Sequence, residues 1–333
     1  MSDEYCTELI HKMTELRPFR LCFIWAVILI FGTGSLTGCS GNKKDPRDSI
    51  RTYHQLPSLP DEIKAEKDLP KEMTSDDYER LGDAYLSKGN LHMAFLKYDK
   101  ALQISPGNTR VLYKKGFTFL IGKKNKEAIK EFRALIKKDP KYALAYEGMG
   151  QSFFQMKKHD EARRYLQKAI KLNPELWRAH AFLGVLYDQQ KKYALAIQEY
   201  DQAIQMRPEE GFLYNNLGVS YSFAGKYKEA IIAFYKALQR NYSANRVYNN
   251  LGVVLSKLDR YEEALDAFRK AGNEAQAYNN LGCIYMGQGD FEQAVSCFEK
   301  AIDINPAFYV KANENLERAR MALIKGEHVY EKK

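Results

Sequence analysis

Residues 211–244 read GFLYNNLGVSYSFAGKYKEAIIAFYKALQRNYSA, and the spacing of the small residues in this stretch decides the fold. Leu217-Gly218 is followed, twelve residues after the glycine, by Ala230, and four residues later by Phe234. Apolar residues recur at i, i+3, i+4 and i+7, which predicts two helices, each with one buried face. Gly218 and Ala230 remove side-chain bulk where the antiparallel helices approach, and Phe234 fills the gap above them. One such hairpin cannot bury its own apolar face, but a stack of hairpins can.

The same arrangement recurs at a spacing of 34 residues over residues 75–308. The glycines at the equivalent place are Gly82, Gly116, Gly150, Gly184, Gly218, Gly252 and Gly282. The alanines are Ala94, Ala128, Ala162, Ala196, Ala230, Ala264 and Ala294, and the large residues are Tyr98, Phe132, Leu166, Tyr200, Phe234, Phe268 and Phe298. Proline ends most of the second helices, because it lacks a donor N–H and disfavours helix in the preceding residue. These prolines are Pro106, Pro140, Pro174, Pro208 and Pro306.

This pattern resembles the tetratricopeptide repeat family, and the resemblance implies an all-α, right-handed α-solenoid of about seven helical hairpins. The predicted repeats are residues 75–108, 109–142, 143–176, 177–210, 211–244, 245–274 and 275–308. Tyr242 stands where a proline is expected, and the sixth repeat is four residues short, so we expect altered local curvature there. Residues 309–333 predict a capping helix and tail, in which Leu316 and Leu323 pack on the last repeat.

The N-terminus predicts a signal peptide. The apolar run at residues 21–31 follows Arg17 and Arg20 and precedes small residues. Residues 36–39, LTGC, resemble the bacterial lipobox, which implies a lipoprotein signal peptide over residues 1–38 and lipidation of Cys39. The alternative is an uncleaved membrane helix. Met13 is an alternative start of the chain.

Residues 39–74 are rich in charge and proline and predict a flexible tether behind the lipidated cysteine. Ser40 follows the cysteine in place of the aspartate that retains lipoproteins in the inner membrane. By this resemblance we expect the periplasmic face of the outer membrane.

The composition and motifs argue against an enzyme and against nucleic-acid binding. The net charge is +9, but the lysines are interleaved with acidic residues as on a solvated helix face. The six histidines are scattered, and neither a phosphate loop nor a hydrolase or metal motif occurs. We therefore expect no cofactor, no metal and no small-molecule substrate. His180 occupies an aromatic packing position, and Cys283 with Cys297 predict either a disulfide or two buried thiols.

The predicted binding surface is a concave groove formed by the first helix of each hairpin, as the family resemblance implies. An asparagine amide can pair with both groups of an extended peptide backbone, so a row of asparagines predicts a peptide ladder. The alternative is that these amides bond neighbouring helices. The asparagines are Asn215, Asn216, Asn249, Asn250, Asn279 and Asn280. The other predicted groove residues are Tyr113, Phe117, Phe154, Phe212, Phe223, Arg110, Arg178 and Arg246.

The lipobox together with the repeats is similar to the tetratricopeptide lipoproteins of tight-adherence (Tad/Flp) pilus systems. This resemblance implies protein partners in the bacterial envelope, such as a secretin or other pilus assembly components. The alternative is an adaptor for peptidoglycan-remodelling enzymes or envelope proteases, because the motifs specify the repeat and not the pathway.

Overall fold

The computed structural model describes residues 73–305 and 309–330. These residues form fifteen α-helices and, within that part of the chain, no β-strand. The helices are α1 (Ser75–Ser87), α2 (Leu91–Ile104), α3 (Thr109–Ile121), α4 (Asn125–Lys138), α5 (Ala143–Gln155), α6 (His159–Leu172), α7 (Trp177–Gln189), α8 (Tyr193–Met206), α9 (Gly211–Phe223), α10 (Tyr227–Gln239), α11 (Ala244–Ser256), α12 (Tyr261–Ala271), α13 (Glu274–Gln288), α14 (Phe291–Ile304) and α15 (Tyr309–Tyr330). The predicted signal peptide, Cys39 and nearly all of the predicted tether lie outside the described residues.

The described helices fall into two compact units, residues 73–225 and residues 226–330. In residues 73–225, α1 to α8 form four helix pairs, and the second helix of each pair packs on the first helix of the next. The first helices α3, α5, α7 and α9 also contact one another in sequence, so they form one layer. In residues 226–330, α11 pairs with α12 and α13 with α14, and α15 packs on α14. The prediction of an all-α stack of helical hairpins is confirmed.

A glycine on the first helix lets a large side chain of the second helix lie against the backbone; this side chain is an aromatic ring in most hairpins and Leu166 in the third. A Cβ atom placed on Gly252 would lie 2.5 Å from Phe268, and one on Gly184 would lie 2.7 Å from Tyr200. Both rings are almost completely buried. Any larger residue than glycine would displace the ring, which explains the spacing of the small residues in the sequence.

The turn inside each hairpin contains one residue with positive φ. These residues are Gly89 (φ 76°), Lys123 (φ 59°), Lys157 (φ 59°), Lys191 (φ 59°), Gly225 (φ 75°), Asp259 (φ 57°) and Gly289 (φ 87°). After α1, the Gly89 N–H donates to Leu86 O at 3.0 Å and the Asn90 N–H donates to Tyr85 O at 2.9 Å. This pair of bonds is the Schellman motif, which satisfies the last carbonyls of a helix.

The same motif replaces the missing proline after α10. Asn241 has φ 54°, its N–H donates to Leu238 O at 2.9 Å, and the Tyr242 N–H donates to Ala237 O at 3.2 Å. An asparagine tolerates the left-handed conformation better than most residues, so it ends this helix without a proline. In the shortened sixth repeat, α12 has 11 residues.

His180 and the two cysteines of the seventh repeat have defined places in the packing. His180 is 8% exposed, with Nδ1 2.7 Å from Glu199 Oε2 and Nε2 3.2 Å from Pro174 O. Cys283 and Cys297 are both free thiols, and burial raises the pKa of Cys297 to about 11. The structure therefore has two separate thiols where the sequence left a disulfide open.

Helix α15 covers the last hairpin. Leu316 and Ala319 pack with Ala294 and Phe298, whereas Glu314, Glu317, Arg318 and Arg320 are exposed. Leu323, which was expected to pack with Leu316, is half-buried. Across the described residues, none of the helices combines the length and apolar character that crossing a membrane requires.

Adding a methyl group at Gly252 should destabilise residues 226–330. We expect Gly252→Ala to lower the free energy of unfolding by about 1–3 kcal/mol, because the new Cβ overlaps the Phe268 ring. Gly287→Ala is the matched control: Gly287 is also helical but has no atom within 4 Å of a new Cβ. It should be neutral or stabilising by up to about 1 kcal/mol. Urea unfolding followed by circular dichroism measures both, and equal effects would contradict the packing argument.

Candidate peptide-binding site

Two junctions between successive first helices are formed at the same two positions relative to the glycine of each hairpin. We call the residue three places before this glycine the acceptor position, and the residue two places before it the donor position. The donor position of one repeat reaches back to the acceptor position of the preceding repeat. The side chains at these two positions therefore decide the chemistry of these two junctions.

The first junction is an ion-pair network. Lys114 Nζ, at the donor position, donates to Glu79 Oε1 at 2.6 Å and to Asp83 Oδ2 at 2.6 Å. Arg110 Nη2 donates to Glu79 Oε2 at 2.7 Å. Burial alone would raise the pKa of Glu79, but the hydrogen bonds from Arg110 and Lys114 outweigh it and lower the pKa. Arg110, a predicted groove arginine, is thus paired within the chain.

The junctions within residues 226–330 use asparagine amides instead of charges. Asn280 Nδ2 donates to Asn249 Oδ1 at 3.1 Å, which joins α13 to α11. Asn315 Nδ2 donates to Asn279 Oδ1 at 3.0 Å, which joins α15 to α13. We call these four residues the asparagine ladder. Its amides bond neighbouring helices, which was the alternative interpretation, but each bond uses only one end of each amide.

The remaining predicted asparagines are largely buried. Asn215 is 3% exposed, and its Nδ2 donates to Asn216 Oδ1 at 3.3 Å. Asn216, which accepts this bond, is half-buried. Asn250 is 7% exposed. Asn249 and Asn280 are both half-buried, so they are the ladder members best placed to meet a ligand.

The predicted aromatic groove residues make ring contacts within the chain. Phe117 is 7% exposed and belongs to the hydrophobic core around Phe132, so it is a packing residue and not an open anchor. Tyr113 is partly buried and stacks on Phe117 with ring centroids 5.9 Å apart. The family's groove positions specify a place on the helix but not the direction in which a large ring turns, and here both rings turn inward.

The other aromatic residues are half-buried on the surface of residues 73–225. Phe154 lies edge-on to Phe182 with centroids 5.3 Å apart, and Phe223 stacks on Tyr193 at 5.4 Å. Phe212 lies 6.2 Å from Trp177. These residues retain an exposed fraction that a ligand can cover.

The two other predicted arginines lie in separate units. Arg178 is half-buried, with its guanidinium 4.9 Å from the centroid of the Trp177 ring. Arg246 is exposed, and its Nη1 donates to Tyr242 Oη at 3.1 Å.

Besides Glu79, sequence reasoning missed two buried acids on the first helices. Asp188, at the end of α7, accepts from Ser220 Oγ at 2.8 Å and from Tyr200 Oη at 3.0 Å. A tyrosine in place of phenylalanine at the large position was the available signal, because a buried phenol requires a partner. Tyr98 likewise donates to Asp83 Oδ1 at 2.7 Å. The second missed acid is Glu147, on α5, which is 2% exposed.

Comparison with known proteins agrees with this geometry. A tetratricopeptide repeat family model, described as the cilia and flagella-associated protein 70 C-terminal domain, matches residues 58–280, about two thirds of the chain. The chain belongs to this family. A general tetratricopeptide repeat model also matches residues 275–308. Tetratricopeptide repeats are protein-interaction scaffolds and are generally non-catalytic, so protein partners are the expected ligands of this tetratricopeptide repeat protein.

Each individual match covers only part of this chain, part of the related protein, or part of both. Human (Homo sapiens) superkiller complex protein 3 is 33% identical over 79 residues, which is 24% of this chain and 5% of the relative. The chain thus spans a small part of the length of this curated relative. A second match is to the crystal structure of the APC/C hetero-tetramer Cut9-Hcn1, with 23% sequence identity and a TM-score of 0.54. The matched region covers 73% of this chain and 49% of the Cut9-Hcn1 chain. The crystal structure of MamA is 30% identical and covers 48% of this chain and 94% of that chain, with a TM-score of 0.42.

The Asp188 network should make stability depend on pH. Burial raises the pKa of Asp188 from 3.8 to about 6, against the opposing hydrogen bonds from Ser220 and Tyr200. Between about pH 4 and pH 6 the folded protein therefore binds more protons than the unfolded chain, and the contribution of Asp188 falls as pH rises.

As the pH rises from 4 to 7, we expect the free energy of unfolding of Asp188→Asn to increase by up to about 3 kcal/mol relative to that of the wild type, because one pKa unit corresponds to about 1.4 kcal/mol. Urea unfolding at several pH values measures this difference. Asp160→Asn, at an exposed residue of the same unit, is the control and should keep the wild-type profile. If the free energy of unfolding varied with pH in the same way for the wild type, Asp188→Asn and Asp160→Asn, the raised pKa of Asp188 would be contradicted.

Proposed function

We propose that the protein is a non-enzymatic scaffold that binds extended peptide segments of partner proteins. The observation that carries this proposal is the asparagine ladder. Asn249 uses its oxygen in the ladder bond and keeps its Nδ2 group, whereas Asn280 uses its Nδ2 group and keeps its oxygen. Among the described residues these two remaining groups have no hydrogen-bond partner, so the pair offers one donor and one acceptor.

One donor and one acceptor are what an extended peptide backbone requires. Each residue of such a peptide presents one C=O and one N–H, and both must find partners when water is excluded. Because the ladder bonds hold the amides in place, little side-chain freedom is lost when a peptide binds. This recognition uses only the backbone, so it accepts many partner sequences.

We further propose that the scaffold is tethered through a lipid on Cys39 in the bacterial envelope, at the periplasmic face of the outer membrane. The support is the sequence of residues 21–39, in which a lipobox-like LTGC follows an apolar run. The similarity to lipoproteins of tight-adherence pilus systems favours a role in pilus or secretion-system assembly, with secretin or pilus proteins as partners. Chemical cross-linking in intact cells identifies the partners. Secretin or pilus proteins would support this role, whereas cell-wall hydrolases or proteases would support the adaptor role.

Removing the free groups of the ladder should weaken peptide binding without unfolding the protein. The double variant Asn249→Ala/Asn280→Ala deletes both partners of one hydrogen bond, a change that is close to neutral for stability. We expect about a tenfold to hundredfold loss of affinity for peptides recovered from a random display library, since each lost bond contributes about 0.5–1.5 kcal/mol. Asn245→Ala, an exposed change at the start of α11, is the control. Equal losses of affinity and of thermal stability would show that the ladder only packs.

The tether is tested separately. Cys39→Ser removes the only thiol in the lipobox-like motif, so the variant should move from the membrane to the soluble fraction and lose incorporation of labelled palmitate. The control is Cys22→Ser, within the apolar run, which should keep both properties. Membrane attachment of Cys39→Ser without label would contradict lipidation and support the uncleaved helix over residues 21–38.

A further inference from the structure

Glu147 is an acceptor whose expected donor is missing. At the first junction Glu79, in the acceptor position, receives Lys114 Nζ at 2.6 Å from the donor position of the next repeat. The bond from Asn280 to Asn249 follows the same rule, and Asn315 of α15 likewise donates to Asn279 in the acceptor position. Between the third and fourth repeats the acceptor position contains Glu147, but the donor position contains Phe182, which has no hydrogen to donate.

The surroundings leave the carboxylate of Glu147 without a close cation. The residue is 2% exposed, and Oε1 accepts one hydrogen bond, from Gln151 Nε2 at 2.6 Å. Within the described residues, no lysine, arginine or histidine nitrogen lies within ion-pair distance of this carboxylate. A buried carboxylate is stabilised only when a cation or several donors face it.

The effect of the missing cation is visible when the two acidic junctions are compared. Burial raises the pKa of Glu147, and the charge of Arg178 with the hydrogen bond from Gln151 only partly opposes it. At Glu79 burial is outweighed by hydrogen bonds, and the pKa is lowered instead. The two glutamates occupy the same place in their repeats, so the difference comes from the number of cations at the junction.

We propose that Glu147 receives the side-chain ammonium of a lysine in the bound peptide, in the role that Lys114 has toward Glu79. This inference rests on the proposed function, because it names a side chain that the bound peptide contains. The half-buried rings of Phe154, on α5, and Phe182, on α7, lie 5.3 Å apart, and their exposed parts can cover the methylene stem of the lysine.

An internal lysine fits this place better than the N-terminal amine of a peptide. Helix α5 is the middle one of the five first helices in residues 73–225. An extended peptide that runs along this layer passes α5 with its central residues. A side chain reaches the middle of the layer from any position along the peptide, whereas an N-terminal amine requires the peptide to end there.

The test measures lysine preference on the full-length chain. Random dodecapeptides displayed on phage are selected on the wild type, and the consensus is synthesised with acetylated and amidated ends, with lysine or norleucine at the selected position. The wild type and the control variant Glu127→Gln, changed at an exposed residue, should bind the lysine peptide about 10- to 100-fold more tightly than the norleucine peptide, as measured by fluorescence anisotropy. Glu147→Gln should reduce this ratio to less than about 3-fold.

A second variant protects the test against a folding defect in the first. Phe182→Lys supplies an ammonium at the donor position, so it should remove the lysine preference while Glu147 stays in place. Circular dichroism melting checks that both variants fold.

Three results would overturn the inference. One is an unchanged lysine preference in folded Glu147→Gln. Another is a norleucine peptide with a free N-terminal amine that binds the wild type as tightly as the acetylated lysine peptide does. The third is a set of wild-type peptides that contains no selected lysine, which would leave peptide binding itself intact. If the wild type selected no peptide at all, both the lysine inference and the proposed function would be contradicted.

Discussion

The contact between a glycine on one helix and a large side chain on its partner is the constraint on which the hairpins depend. The Tyr200 ring occupies the space that a side chain on Gly184 would need, and the Phe268 ring does the same at Gly252. Because the two helices approach this closely, their register is fixed by the contact. Every repeat must supply the same small and large residues at the same spacing, whereas the positions between them are free to vary.

A fixed register also brings the same two positions together at more than one junction between repeats. The chain fills these positions with an ion pair at Glu79 and Lys114, and with amides at Asn249 and Asn280. The geometry is shared, but the chemistry differs from junction to junction. A repeated backbone therefore presents a sequence of different binding environments, which is how one architecture can distinguish one peptide from another.

The fold could be predicted from the sequence because its determinants are local and are repeated seven times. The same argument failed to describe the site, because a side chain's partners lie on other repeats. Periodicity places Phe117 on a first helix but does not say that its ring turns into the core. Asp188 was missed because its partners, Tyr200 and Ser220, come from two other helices. The asparagines were recognised, but the neighbouring helix decides which end of each amide is already used.

The two kinds of junction imply different contributions to binding under the proposed function. An amide junction has no net charge, so it can pair with a peptide backbone with little regard to side chains. An acidic junction that lacks its cation penalises every ligand except one that brings a positive charge, because an uncompensated buried carboxylate is costly. Under the proposed function, an amide junction contributes affinity without selectivity, whereas Glu147 contributes selectivity. Such a role explains why a buried acid without an ion-pair partner among the described residues persists at a position where Glu79 is neutralised by Lys114.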